Sequence, residues 1–260
     1  GGTEMKLKYP AEAFALGIVL FSRNMEEAFA AGILVILAVV FAEFLKNLLE
    51  GVVPVWSLRL CVLIGTGAIA AGTFLLGFSA LGIRVDTGTW IMTAVIGLLA
   101  GKAALFGELE GDYGSIFYES GILWGFWILL GIVREFLSQG EIFGNLLLEK
   151  APFFSQSFQS TAFGFLAAGL ALAFTNGILK KRSSGTQSLL LVVPAVIFSR
   201  PFEMVTFGGV IAFIWTVGVS VLLFLSVARM IRFSSAGPRF RGLPLEMLSM
   251  SFIYLILSIY

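Results

Sequence analysis

The segment LCVLIGTGAIAAGTFLLGFSALGI, residues 60–83, contains no charged residue over its whole length. A helix needs about 20 mostly apolar residues to cross the hydrocarbon core of a bilayer, so this segment can span one. The other segments of comparable length are residues 151–179, 204–228 and, with Glu43 placed near one interface, 28–45. The length and composition of these segments predict an integral membrane protein.

Five shorter apolar segments lie between the long ones. They cover residues 13–22, 87–101, 120–133, 183–199 and 247–260. Short segments interrupted by glycine or proline are typical of broken or re-entrant helices. They are equally typical of ordinary helices whose terminal charges reach the interface. With the long segments they predict an all-α, polytopic protein of about nine transmembrane or half-membrane helices, since no segment shows the alternation of barrel strands.

The composition restricts the chemistry of the chain. Hydrophobic residues make up 58% of the sequence, the mean hydropathy is +0.97 and the formal net charge is +1. A nearly neutral chain of this kind gives no sign of nucleic acid as a partner. The chain has no histidine and one cysteine, Cys61, which we expect to be a small buried apolar residue. These counts exclude an internal disulfide and most metal or haem sites. No P-loop or dinucleotide-binding glycine motif occurs, so we assign no catalytic residue.

The distribution of lysine and arginine predicts the orientation. With the amino terminus in the cytoplasm and nine crossings, the cytoplasmic segments hold most of the basic residues, as the positive-inside rule requires. The cytoplasmic set is Lys6, Lys8, Lys46, Arg59, Lys102, Lys180, Lys181, Arg182, Arg229, Arg232, Arg239 and Arg241. The opposite set is Arg23, Arg84, Arg134, Lys150 and Arg200. We therefore expect a multi-pass protein of the inner (plasma) membrane.

Charged residues near or within the predicted spans are the candidate functional residues. Charge inside a membrane is costly, from about 2.5 kcal/mol to 10 or more, so such residues tend to pair or to face water. The alternative is placement at the interface, with each arginine reaching it as an end anchor. The candidates for an ion path or a structural role are Glu43, Lys102, Glu119, Arg134 and Arg229.

The segment GIVREFLSQGEIFG, residues 131–144, resembles the G-x-x-R-E-L-x-G-x-G-x-x-F-G stretch of the membrane subunits of the Rnf and Nqr ion-pumping redox complexes. Residues 101–106 resemble the G-R-A-E-A-F segment of that family, and residues 16–18 resemble its L-G-L-C start. Residues 162–180 are similar to its last helix. The resemblance implies that residues 10–182 form a six-helix domain of the E-type (Rnf) or D-type (Nqr), the greater part of a first domain over residues 1–182.

Residues 183–260 resemble a different subunit. Residues 228–229 and 237–242 are similar to the A-type ending, R-E-R followed by P-x-F-x-G. The resemblance implies a second domain, a three-helix A-type half repeat. Residues 121–145 and 216–242 also resemble each other, and the orientation above places Arg134 and Arg229 on opposite faces of the membrane. That arrangement is expected of inverted repeats.

The cysteines of the family are missing from the matching positions. In the family, paired subunits hold a [2Fe-2S] cluster with cysteine thiolates, the ligands that such clusters require. The matching positions here hold Val19, Gly97 and Pro194. We therefore predict no cofactor and no metal in this chain.

The resemblance implies a membrane subunit or paralogue of a Rnf/Nqr-like ion-translocating electron transport complex. Its partners would be other membrane and redox subunits, the lipid bilayer and Na⁺ or H⁺. At most, the chain is a subunit of an ion-translocating oxidoreductase. Two alternatives stay open: an ion or small-solute transporter or channel on the same scaffold, and a non-catalytic membrane scaffold.

Overall fold

The structure is a computed structural model that describes residues 8–106, 109, 112–149, 151–181, 189–199, 209–230 and 238–258. Within these ranges the chain forms the following α-helices: α1 Ala11–Leu20, α2 Met25–Leu49, α3 Val55–Ala80, α4 Thr87–Leu105, α5 Tyr113–Gln139, α6 Thr161–Leu179, α7 Leu189–Ser199, α8 Gly209–Met230 and α9 Leu243–Leu257. Short 3₁₀ turns cover Gln156–Gln159 and Pro238–Phe240. Two strands, β1 Glu141–Ile142 and β2 Asn145–Leu146, pair antiparallel after α5.

The predicted all-α membrane fold is confirmed in its main feature. Six helices of the described chain, α2 to α6 and α8, are long and apolar enough to cross a membrane. The helices α1, α7 and α9 are shorter. The apolar segment predicted over residues 151–179 begins its helix only at Thr161, because residues 151–160 form an irregular stretch that ends in a 3₁₀ turn.

Polar side chains fix where several helices begin. Asn24 accepts a hydrogen bond from the main-chain nitrogen of Glu27 at 2.8 Å, and Asp86 accepts one from that of Thr89 at 3.0 Å. Such caps satisfy main-chain donors that the first helical turn leaves free. Gly140 follows the last residue of α5, and its φ of 74° is the left-handed conformation that glycine adopts readily at helix ends.

The six helices α1 to α6 alternate in direction. Tyr9, at the start of α1, lies beside Asn176, at the end of α6, and Met25, at the start of α2, lies beside Glu135 near the end of α5. We call the two ends of the bundle the Glu119 end, where α1, α3 and α5 begin, and the Arg134 end, where α2, α4 and α6 begin. Helix α3 packs on α2 and α4, α2 on α5, and α9 on α6.

Helix α1 is enclosed by the rest of the bundle. Each of its ten residues is buried, and it packs against α2, α4, α6 and α7. Ten residues span only about 15 Å, half of the hydrocarbon core. The chain segments on either side of α1 therefore enter the bundle too, and their polar groups need partners there.

Residues 189–199, 209–230 and 238–258 share one core with the first six helices. Val192 and Val196 of α7, Phe224 of α8 and Met250 of α9 belong to the same buried cluster as α1. The exposed faces are apolar as well, with Leu76 of α3 at 72% and Val210 of α8 at 74% exposed. Exposed apolar faces of this extent are expected of helices that contact lipid.

The prediction that Cys61 is buried is wrong. Cys61 lies on the exposed side of α3, where its thiol is 3.9 Å from the hydroxyl of Ser57. Its apolar surroundings in sequence are those of a lipid-facing helix surface, which local composition does not distinguish from a protein core.

Candidate functional site

Glu119 binds the segment that leads into α1. The side chain is 3% exposed, and its Oε2 accepts a hydrogen bond from the main-chain nitrogen of Lys8 at 2.7 Å. Its Oε1 forms an ion pair with the Nζ of Lys181, just after α6. One carboxylate near the start of α5 thereby joins the segments that precede α1 and follow α6.

Tyr9 and Asn176 add a second polar link at the same end. The buried hydroxyl of Tyr9 donates to Oδ1 of Asn176 across 3.4 Å. A tyrosine hydroxyl is protonated at neutral pH, so the phenol is the donor of this hydrogen bond.

Lys102 forms an ion pair with Glu12, an acidic residue that the sequence analysis did not select as a candidate. Its Nζ lies 2.7 Å from Oε2 of Glu12, with the two side chains 16% and 10% exposed. The pair joins the end of α4 to the first turn of α1. The positive charge of Lys102 is thus balanced by the carboxylate of Glu12.

Arg134 is buried at the opposite end of the bundle. The side chain is 5% exposed. Its Nε donates to the main-chain oxygen of Phe158 at 2.9 Å, its Nη2 to that of Ser160 at 3.0 Å, and its Nη1 to the hydroxyl of Ser22. The fixed fork of a guanidinium suits several acceptors at once. Arg134 thus links the segment that follows α1 to the segment that leads into α6.

Glu135, the neighbour of Arg134, accepts hydrogen bonds from the main chain of two other segments. Its Oε2 accepts from the main-chain nitrogen of Met25 at 2.9 Å, and its Oε1 accepts from that of Gly144 at 3.0 Å. Gly144 and Phe143 form the tight turn between β1 and β2, with φ values of 70° and 55°. The Arg-Glu pair and the glycines of residues 131–144 therefore have structural roles.

Glu43 is the buried charge that lacks a hydrogen-bonded partner in the described chain. Its side chain on α2 is 0% exposed, and neither carboxylate oxygen accepts a hydrogen bond. The Nζ of Lys46, one turn further along α2, lies 3.5 Å from Oε1. A carboxylate offers about four lone-pair positions, and a single ammonium at this distance leaves most of them open.

A second unsatisfied polar group lies close to the level of Glu43. Asn47 of α2 donates to the hydroxyl of Tyr113 at the start of α5. Since α2 and α5 run antiparallel, the turn of α5 that follows Tyr113 is level with Glu43, and Ser120 comes one turn later. The Ser120 hydroxyl is buried and, among the described residues, has no hydrogen-bond partner.

The three positions at which the resemblance led us to look for cysteines lie on helices that contact one another. Val19 is on α1, Gly97 on α4 and Pro194 on α7, and each of these helices packs against the other two. A Cβ on Gly97 would run into the main-chain oxygen of Thr66, so no larger residue fits at this position without moving α3. The described residues contain no cluster of three or more His, Cys, Asp or Glu side chains.

A cleft opens at the Arg134 end and reaches the end of α1. It has a volume of about 170 Å³, and the buried residues Val19 and Phe21 are part of its lining. Charged residues of both signs line its mouth: Arg23, Glu27, Arg84 and Asp86. The cleft therefore brings charged side chains of both signs close to the end of α1.

Arg229 is the remaining predicted candidate. It belongs to the last turn of α8, and its side chain lies outside the described residues. The structure thus brings Lys102 and Glu119 to one end of α1 and Arg134 to the other, while Glu43 stands apart on α2. Sequence reasoning missed Glu12, Glu135 and Asn176, although each is a polar residue inside or beside an apolar segment.

Comparisons of the chain with protein-family models, with curated proteins and with solved structures gave no match.

Proposed function

We propose that this chain is a membrane-integral subunit of a Rnf/Nqr-like ion-translocating complex, and that Glu43 exchanges Na⁺ or H⁺ along an ion path. The observation that carries the proposal is the buried Glu43 carboxylate without a hydrogen-bond donor among the described residues. Leaving an ionised carboxylate in an apolar interior costs several kcal/mol. A cation bound beside Glu43 would remove that cost, and Lys46 at 3.5 Å would repel it enough to permit release.

The pairing of helices supports an inverted repeat, α1–α3 against α4–α6. In such a repeat α1, α2 and α3 are equivalent to α4, α5 and α6. The α1–α6 contact is then equivalent to the α4–α3 contact, and the α2–α3 contact is equivalent to the α5–α6 contact. All four contacts are present, and α1 packs on its counterpart α4 and α2 on its counterpart α5. The packing of α2 on α4 departs from this symmetry, since α5 does not pack on α1 to a similar extent among the described residues. Such repeats are common in proteins that move ions across membranes.

The electron path of the complex would belong to partner subunits. Val19, Gly97 and Pro194 bear no thiol, and the backbone of Thr66 leaves no room for a side chain at Gly97. We therefore assign this chain the ion path or a structural half of the complex, beside redox subunits that hold the cofactors.

The proposed setting is the inner membrane, with the Glu119 end in the cytoplasm. Arg239 packs against Gly177 of α6, which brings it to the same end as Lys181. The described basic residues at this end are Lys8, Lys46, Arg59, Lys102, Lys180, Lys181, Arg239 and Arg241, against Arg23, Arg84 and Arg134 at the other. This asymmetry supports the orientation.

Two experiments test the proposal. A tagged chain, solubilised gently from membranes of its host, should copurify with subunits that carry a redox cofactor, visible in the absorption and EPR spectra. The absence of any redox-active partner would contradict the assignment to such a complex.

The role of Glu43 is tested by ion uptake into vesicles that contain the assembly. Glu43→Gln should reduce coupled Na⁺ or H⁺ uptake by at least about tenfold, since the amide cannot neutralise a cation. Glu50→Gln, at the exposed end of the same helix, is the matched control and should retain uptake. Equal uptake by both variants would exclude Glu43 from the ion path.

The polar cleft at the Arg134 end favours a second candidate function, a transporter or channel that works without redox partners. Its charged mouth and its approach to Val19 are features of a solute entry. The chain alone in proteoliposomes should then carry Na⁺ or a small solute down a gradient. The absence of flux from the isolated chain, with uptake by the assembly, would favour the subunit.

A further inference from the structure

A groove on the outside of the bundle lies at the last turns of α6. Phe126 of α5 and Phe174 and Ile178 of α6 form its walls, and Arg239 and Phe240 of the 3₁₀ turn Pro238–Phe240 close its end. The volume of the groove is about 410 Å³. The rings of Phe126 and Phe174 lie 5.5 Å apart, which makes the wall continuous between the two helices.

The side chain of Arg239 is positioned by a glycine. A Cβ on Gly177 would lie 3.1 Å from Cδ of Arg239, tighter than ordinary van der Waals contact. The absence of that carbon lets Arg239 lie flat on α6, with its Nε and Nη1 also close to Gly177, so the guanidinium lines the groove. Apolar walls therefore lead directly to a positive charge.

This guanidinium is unpaired in the described chain. Arg239 makes no ion pair or side-chain hydrogen bond with any described residue, and the same holds for its basic neighbours Lys180 and Arg241. All three side chains are exposed. Lys181, by contrast, is already paired with Glu119. The rim of the groove thus has positive charge without a counterion in the described chain.

We propose that this groove binds an anionic phospholipid, with one acyl chain along Phe126, Phe174 and Ile178 and the phosphate on Arg239. An arginine fork donates two parallel hydrogen bonds to a phosphate. Basic pockets at the ends of transmembrane helices suit acidic headgroups in the same way. The end of α6 lies at the level expected for lipid headgroups. The acyl chain can therefore contact the apolar walls of the groove while the phosphate binds Arg239. Lys180 and Arg241 add attraction for the net negative charge.

The test is native mass spectrometry and thermal unfolding of the full chain in detergent, with phosphatidylglycerol or phosphatidylcholine added. Phosphatidylglycerol should bind more tightly and raise the melting temperature. Arg239→Gln should weaken its binding about fivefold, the effect of one basic residue near a lipid surface. Arg59→Gln removes an exposed cation from the same end but away from the groove, and should leave binding unchanged.

Two further measurements separate the parts of the site. Arg239→Lys keeps the charge without the fork and should bind with intermediate affinity. Glycerol phosphate, which has no acyl chain, should not displace the lipid at equal concentration. The proposal is overturned if phosphatidylcholine binds equally well, if Arg59→Gln weakens binding as much as Arg239→Gln does, or if glycerol phosphate displaces the lipid.

Discussion

Lys102 and Glu12 are 90 residues apart in sequence, yet the Nζ of one lies 2.7 Å from Oε2 of the other and ties α4 to α1. Removing one partner leaves the other charge with little water to solvate it. We expect Lys102→Met to lower the free energy of unfolding by about 3 kcal/mol. The measurement is thermal or denaturant unfolding in detergent.

The double variant Glu12→Leu, Lys102→Met supplies the control for that prediction. It should be less unstable than the sum of the single variants, with a coupling energy of about 1 kcal/mol or more. Additive effects would mean that the pair contributes nothing as a pair. Arg59→Met, an exposed cation at the same end, should be neutral.

Arg134→Gln should destabilise the protein by about 3 kcal/mol, because hydrogen bonds of a charged donor to Phe158, Ser160 and Ser22 are lost together. Arg134→Lys should recover part of this loss, since it keeps the charge but lacks the fork. Arg23→Gln, an exposed arginine at the same end, is the comparison for thermal unfolding. A similar melting temperature for all three variants would refute the bridging role.

Gly97→Ala should cost about 1–3 kcal/mol, since the new methyl group meets the main chain of α3 at Thr66. Gly72→Ala on α3 has nothing within 4 Å of the new carbon and should be neutral or stabilising by about 0.5–1 kcal/mol. Unfolding measured for the two variants side by side decides the matter. An unaffected Gly97→Ala protein would show that α3 and α4 separate easily.

Asp86→Ala should lower stability by about 1 kcal/mol at neutral pH, the usual effect of losing a helix cap. Hydrogen bonds from Thr89 hold the pKa of Asp86 below its ordinary value. The charge of Asp86 therefore contributes fully to stability at pH values above the pKa of Asp86 in the unfolded chain. This contribution is lost as the pH falls through the lower pKa of Asp86 in the folded protein. The difference in melting temperature from the parent should shrink below about pH 4. For Asp86→Asn, which caps without a charge, the melting temperature should not follow this titration.

Cys61 should react fully with an apolar maleimide in the folded protein, because its side chain lies on the exposed surface of α3. A matched control moves the thiol by one residue: Val62→Cys in a Cys61→Ser background places it at a 0% exposed position. Mass spectrometry of both proteins before and after unfolding measures the labelling. Rapid labelling at position 62 without unfolding would contradict the packing of α3.

Hydropathy predicted most of the long helices because crossing lipid imposes a length and a composition on each helix separately. It did not reveal that α1 lies inside the bundle, since a short apolar segment has the same sequence pattern at the periphery and at the centre. The charged candidates could be recognised because charge within an apolar segment is energetically costly. Their partners could not be recognised from the sequence. Glu12 and Lys102, or Glu119 and Lys181, meet through the packing of distant helices, and no local spacing encodes that packing.

The enclosed position of α1 has a consequence for biogenesis. A segment of ten residues is too short to be held by the lipid on its own when it leaves the ribosome. It reaches a stable depth only once α4 and α6 have been synthesised and inserted, because they supply Lys102 and the surface around Gly164. Although α1 precedes α4 and α6 in the chain, it is therefore expected to settle after both of them.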